Sequence, residues 1–312
     1  YKKPPLAEGQ VRLIRDWIDQ GALAPANEEP SNDTHWAFVA PVRPEPPAVA
    51  QPGWARNAID RFVLARLEKE KIAPAPEADR VTLLRRVSLD LTGLPPTPAE
   101  IAAFLRDPST AAYARVVDRL LASDASAEHL ARQWLDAVRY ADTHGIHIDS
   151  FRSIWPYRDW VVNAFRQNMP FDRFTIEQMA GDLLPGATLE QKVASGYNRC
   201  LPTTSEGGAI AEEYEAIYAK DRVDTMSTVW LGLTTGCAAC HDHKFDPITQ
   251  RDFYSLAAFF RNNTMPAMDG NVWDTKPTVF VPAPADRARW DALQDEIAKW
   301  SRVISTAGVK AE

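Results

Sequence analysis

Five residues, Cys237-Ala238-Ala239-Cys240-His241, constrain this chain more than any others in it. They form the C-x-x-C-H pattern that attaches a c-type haem. Two thiols add across the porphyrin's two vinyl groups, and the adjacent imidazole is held against the iron as its proximal ligand. The surrounding fold must therefore present all three side chains to a single flat ring. The cysteine count limits the rest. With three cysteines in 312 residues there is no disulfide framework to staple the chain. A second C-x-x-C is absent and Cys200 stands alone, so a four-cysteine zinc site cannot be assembled. Cys200 is expected to act as a small buried apolar side chain. A thioredoxin-like redox pair is the remaining alternative for Cys237 and Cys240.

The fold must then rest on a core, and 45% hydrophobic residues suffice for one. Apolar residues recur at helical spacing almost throughout. Val11, Leu13, Ile14, Trp17 and Ile18 predict a first helix stopped by Gly21. Residues 24–53 carry Pro25, Pro30, Pro41, Pro44, Pro46, Pro47 and Pro52 with little periodicity, and read as an extended linker. Within it His35-Trp36-Ala37-Phe38 is an apolar knot. From Trp54 onward helix follows helix. Thr97 and Glu100 form a capping box with Pro98 in the first helical position. Further helices are expected near 110–122, 127–141, 157–168, 171–184, 189–197, 210–231 and 250–261. Thr278-Val279-Phe280-Val281 is the best strand signal. The predicted fold is mostly α: a multi-helix domain with long irregular loops around the haem motif. The expected divisions are a helix in 1–23, the linker 24–53, the helical domain 54–283 and a helical connector from 284 to 312.

Composition narrows the partners. A net charge of −7 with no basic stripe argues against nucleic acid, and no run of 18 apolar residues spans a membrane. Several polar clusters are candidates for chemistry. His243 lies two residues beyond His241, about 200° away on a helix, so it cannot easily ligate the opposite face of the same iron. A hydrogen bond to a haem propionate, or ligation of another group, suits it better. Asp142-Thr143-His144-Gly145-Ile146-His147-Ile148-Asp149 gathers two imidazoles and two carboxylates around a glycine turn. His147, then His144, are the leading candidates for the distal iron ligand, and the cluster also offers donors for an additional divalent metal. Met265 and Met268 come third, as thioether ligands. Glu206, in Thr203-Thr204-Ser205-Glu206-Gly207-Gly208, and Asp142 are candidate proton acceptors should the protein oxidise a substrate. Trp155-Pro156-Tyr157-Arg158-Asp159-Trp160 offers aromatic faces for a sugar ring or a haem pocket.

Longer stretches carry a resemblance: Asn57-Ala58-Ile59-Asp60-Arg61-Phe62-Val63, Leu89-Asp90-Leu91-Thr92-Gly93-Leu94-Pro95-Pro96, Arg139-Tyr140-Ala141-Asp142-Thr143 and Trp155 to Val161. Gln178-Met179-Ala180-Gly181-Asp182-Leu183-Leu184-Pro185 and Cys237 to Pro247 complete it. On these the chain, from about His35 to Pro282, resembles the Planctomycete cytochrome C family, specifically its second, haem-motif-containing module. The resemblance implies a neighbouring small cytochrome c domain whose last helix is residues 6–22, and a further domain beyond the C-terminal connector. It also implies an exported, multi-haem redox protein at the periplasm or cell surface, linked with polysaccharide use. It assigns no reaction, and it leaves His144 and His147 unassigned. Three functions follow as expectations. The first is electron transfer through one covalent haem c, between the neighbouring cytochrome domain and another redox partner. The second is a haem-dependent oxidoreductase acting on a sugar-type substrate. The third is a carbohydrate-binding or scaffolding module stabilised by a metal.

Overall fold

Several helices here begin where a side chain takes up a free amide of the first turn, at Asn57, Asp79, Thr97, Ser123, Thr188 and Thr249. In the computed structural model, which describes residues 6–21 and 36–306, the chain divides into two compact units, Tyr1–Glu77 and Ala78–Glu312. In the first, α1 (Glu8–Asp19) ends at Gly21, whose φ of +93° only glycine adopts freely. A short 3₁₀ turn follows at Trp36–Phe38. Pro25, Pro30 and His35 of the expected linker and apolar knot lie outside the described residues. Then α2 (Ala58–Lys69) starts at Asn57, whose Oδ1 accepts from the Asp60 amide at 3.0 Å while Asp60 accepts back from Asn57.

In the second unit α3 (Arg80–Thr92), α4 (Pro98–Arg106) and α5 (Ala112–Leu121) bury Leu84, Val87, Phe104, Ala112 and Leu120 against one another. The expected capping box is present. Glu100 accepts from the Thr97 amide at 2.8 Å, and Thr97 Oγ1 accepts from that of Glu100 at 3.3 Å. A larger core joins α6 (Asp124–Ala137), α7 (Trp155–Arg166), α8 (Phe171–Ala180) and α9 (Leu189–Ala194). Its centre is aromatic, with Trp160 stacked on Phe174 and Trp134 edge-on to it. One amide organises these rings: fully buried Gln178 accepts from Trp134 Nε1 (2.9 Å) and the Tyr157 hydroxyl (2.7 Å) and donates to the Phe174 carbonyl (3.0 Å). A Cβ at Gly181 would lie 2.1 Å from the Gln191 carbonyl oxygen, so only glycine lets the turn after α8 close on α9.

The third core lies under the haem motif. α10 (Ala211–Met226) runs into a wider π-helical turn, Ser227–Leu231, and α11 (Gln250–Arg261) crosses it. Val223, Ala238, Phe253 and Ala257 are buried together there. α12 (Arg287–Thr306) buries no residue. The mostly α, multi-helix expectation is met: there are twelve α-helices and only three isolated β-bridges among the described residues.

The strand expected at Thr278–Val281 does not form; the segment is irregular and largely exposed. β-branched residues favour a strand only where a neighbouring strand supplies the ladder. None runs alongside among the described residues. Instead the carbonyls of Thr275 and Pro277, just before the segment, accept from Arg199 Nη2 at 3.1 and 2.6 Å.

Candidate functional site

Gly236–Ala239 forms a single 3₁₀ turn, and the Cys237 carbonyl accepts the amides of Cys240 (3.2 Å) and His241 (3.3 Å). This turn is pinned from beneath. Ala238 is buried against Val223 of α10 and Phe253 and Ala257 of α11, while the Ala239 carbonyl accepts from the Tyr254 hydroxyl at 2.9 Å. Burying the small residue between the cysteines leaves both thiols outside. Cys237 and Cys240 are exposed and unbonded.

His241 Nδ1 lies 2.8 Å from the Asp242 carbonyl. A carbonyl only accepts, so Nδ1 is the donor, and in the neutral ring Nε2 is then the nitrogen with the lone pair. The loop beyond is self-tied. His243 is largely buried, and its Nδ1 accepts from the amides of Asp246 (2.9 Å) and Phe245 (3.3 Å). Asp242 Oδ1 accepts from the Gln250 amide at 2.7 Å, anchoring the loop to the start of α11.

The His144–His147 cluster is a separate assembly. Residues 143–151, 203–205 and 268–272 are stitched by bridges between Thr143 and Phe151, Gly145 and Thr203, and Thr204 and Met268. His144 is buried among them with both ring nitrogens engaged. Nδ1 meets Thr203 Oγ1 at 2.5 Å and Asp269 Oδ2 at 3.4 Å, and Nε2 donates to the Val272 carbonyl at 3.1 Å. His147 is exposed, with a left-handed φ of +61° and no hydrogen-bond partner among the described residues. Asp142 is exposed and accepts from the Tyr140 hydroxyl at 2.6 Å. Glu206 is exposed in the turn ahead of α10. Met265 Sδ lies 3.8 Å from Arg222 Nη2, and Met268 sits in the bridge with Thr204. No group of three or more His, Cys, Asp or Glu side chains converges as a metal site among the described residues.

A cavity of about 920 Å³ opens beside this assembly, with His144, Thr203 and Asp269 in its wall together with Arg152, the first turn of α7, the end of α8, the Lys192–Arg199 segment, Met226, the end of α11 and residues 264–281. The haem motif does not line it. Gln250, Phe253, Tyr254 and Ala257 of α11 face the motif, whereas Leu256, Phe259 and Phe260 line the cavity, Leu256 and Phe260 also packing against the third core. These two stripes are about 120° apart around the helix axis. Arg152, Arg199 and Asp269 line the cavity and went unnoticed in the sequence. A signal was there for one of them: Arg199 sits in Gly196-Tyr197-Asn198-Arg199-Cys200-Leu201, among residues that are usually buried, where a charge needs a partner.

Fold and motif together define a helical module with a C-x-x-C-H loop displayed on its surface. The chain belongs to the family described as PSCyt2, protein of unknown function (DUF1549), the second module of the planctomycete cytochrome C proteins, matched over residues 58–265. No curated protein matches it, and no solved structure does.

Proposed function

We propose that this chain is the haem-bearing electron-transfer module of a larger exported redox protein. Cys237 and Cys240 hold one haem c through thioether bonds, and His241 Nε2 is its proximal ligand. The observation that carries the reading is the turn itself. Two free, exposed thiols stand beside an imidazole whose Nδ1–H is committed to the Asp242 carbonyl, the arrangement that fixes ring orientation and leaves Nε2 to a metal. The bound haem would supply a one-electron iron couple. The chain's part is to anchor the ring on a turn clamped by α10 and α11 and to keep its ligand oriented.

His147 is the proposed distal ligand in preference to His144, whose nitrogens are both bonded within the protein. Met265 and Met268 are the next candidates. The partners in this reading are a small cytochrome c domain, ending in α1, and a further redox protein or domain. Thioether attachment is made outside the bacterial cytoplasm, which places the protein in the periplasm or at the cell surface.

A second reading, a haem-dependent oxidoreductase acting on a sugar-type substrate, would need a substrate site beside the haem, and the C-x-x-C-H motif does not line the cavity. A further weakness is that neither Asp142 nor Glu206 lines that cavity. The metal-stabilised carbohydrate-binding reading has no convergent donor set among the described residues to rest on.

Expression with a cytochrome c maturation system, followed by acid–acetone extraction and a pyridine haemochrome spectrum, tests the proposal. One haem per chain that resists extraction, and is lost in Cys237→Ser/Cys240→Ser, is the expected result. Folded, colourless protein would sink it. Low-spin iron that turns high-spin in His147→Ala supports electron transfer with that ligand; high-spin iron from the outset favours the enzyme.

A further inference from the structure

The cavity beside α11 has the size of a small-molecule site, for which about 300–1,000 Å³ is usual. Much of its wall is apolar, built from Trp155, Phe259, Phe260, Met265 and Trp273. Its deep charges do not balance. Arg152 and Arg199 lie in the wall, and Arg222 sits behind them, donating to the carbonyl of Asn198. None of the three reaches a carboxylate within ion-pair distance among the described residues. Burial lowers the pKa of each, that of Arg199 to about 10 with further repulsion from Arg222 and Arg152.

The buried acid in the wall is Asp269, already engaged by the Asn271 amide at 2.8 Å and by His144. Lys192, Asp182 and Asp274, also in the lining, are exposed to solvent, where their fields are screened. A second feature adds positive potential. The first turn of α7 faces the cavity with the positive end of its helix dipole; Pro156 has no N–H and the Tyr157 amide donates to the Ile154 carbonyl at 3.0 Å, which leaves the Trp155 amide.

The guanidinium donors are only partly used. Arg199 spends Nη2 on the Thr275 and Pro277 carbonyls, and Arg152 spends Nε and Nη1 on those of Ala141 and Leu201. A guanidinium has five N–H groups, so Nε and Nη1 of Arg199 and Nη2 of Arg152 remain for a ligand. Buried unpaired charge is costly, and a bound counter-ion relieves it.

We propose that this cavity binds an organic oxyanion, a ligand with a ring-sized apolar body and one carboxylate, sulfate or phosphate group, whose anionic end is taken by Arg152 and Arg199. The apolar body lies against Trp155, Phe259 and Trp273. The proposal does not rest on the haem reading, since no residue of the C-x-x-C-H motif lines the cavity.

Two dyes that share an aromatic body make the test, on the full chain without haem. 8-Anilinonaphthalene-1-sulfonate carries the oxyanion, and N-phenyl-1-naphthylamine lacks it. Binding is followed by dye fluorescence and by energy transfer from tryptophan, with circular dichroism confirming native helix content. The sulfonate is expected to bind one per chain and at least tenfold more tightly than the neutral dye. Arg199→Gln should erase that preference while leaving the neutral dye's affinity unchanged, and Ser153→Trp, which puts an indole into the wall beside Arg152 and Trp155, should weaken both. Where Arg199→Gln does not fold, Arg199→Lys keeps the charge, loses the fork, and should cut the preference severalfold. Equal affinity for the two dyes overturns the proposal, as does sulfonate binding left unchanged by Ser153→Trp.

Discussion

Cys200 and Cys237 are the same side chain in opposite circumstances. Cys200 is buried beside the Gly196 carbonyl, and burial pushes its thiol up to about 12, so it stays protonated and inert at neutral pH. Cys237 and Cys240 stand in solvent. A native thiol titration with Ellman's reagent should therefore find two fast groups per chain and release the third only in denaturant. After haem attachment the fast pair should vanish. Gln178 is the most exacting polar residue in the core. Gln178→Leu would orphan the Trp134 and Tyr157 donors and should cost about 2–4 kcal/mol in chemical denaturation. The burial of Cys200 was readable from the sequence, because a lone thiol with no partner behaves as an apolar side chain. The burial of His144 was not. Its partners Thr203, Asp269 and Val272 are 59 to 128 residues away along the chain, and a local pattern cannot report such contacts.

Thr97 and Glu100 close the start of α4, so Thr97→Ala should lower stability by about 1 kcal/mol, visible as a shift in the urea midpoint with unchanged slope. Such caps are short-range chemistry, and for that reason they were legible. The three stitched loops are the opposite case. Burial alone would raise the pKa of Asp269, but the Asn271 amide, the Thr203 and Ser205 hydroxyls and His144 outweigh it and hold the carboxyl below its ordinary value. Its folded pKa thus lies below its unfolded one. The stability it contributes is present above the unfolded value of 3.8 and is lost as pH falls through the folded one. Urea midpoints measured from about pH 6 down to about pH 3 should fall less steeply in Asp269→Asn than in the parent. The strand expected at Thr278–Val281 failed for a related reason: its composition was right, but pairing depends on a distant neighbour that the fold does not provide.

Across the whole molecule, none of the three cores includes Cys237, Cys240 or His241. Cys237→Ser/Cys240→Ser should accordingly keep the far-ultraviolet spectrum of the parent and stay within about 0.5 kcal/mol of it, as exposed substitutions do. If the proposed haem is attached, a chain that misses that step is then expected to accumulate folded and colourless. The helical class was legible because periodicity and caps are written locally. The cavity was not, since its wall draws on stretches of chain scattered from His144 to Val281.

Helix α11 packs against the C-x-x-C-H turn and also lines the cavity, so the two places share a wall. In a haem-loaded chain, a cavity ligand that prefers the reduced form would be a regulator of potential. Tenfold tighter binding to ferrous than to ferric protein corresponds to about 59 mV for a one-electron couple. Reciprocity then fixes the converse, with the iron's oxidation state setting how firmly that ligand is held.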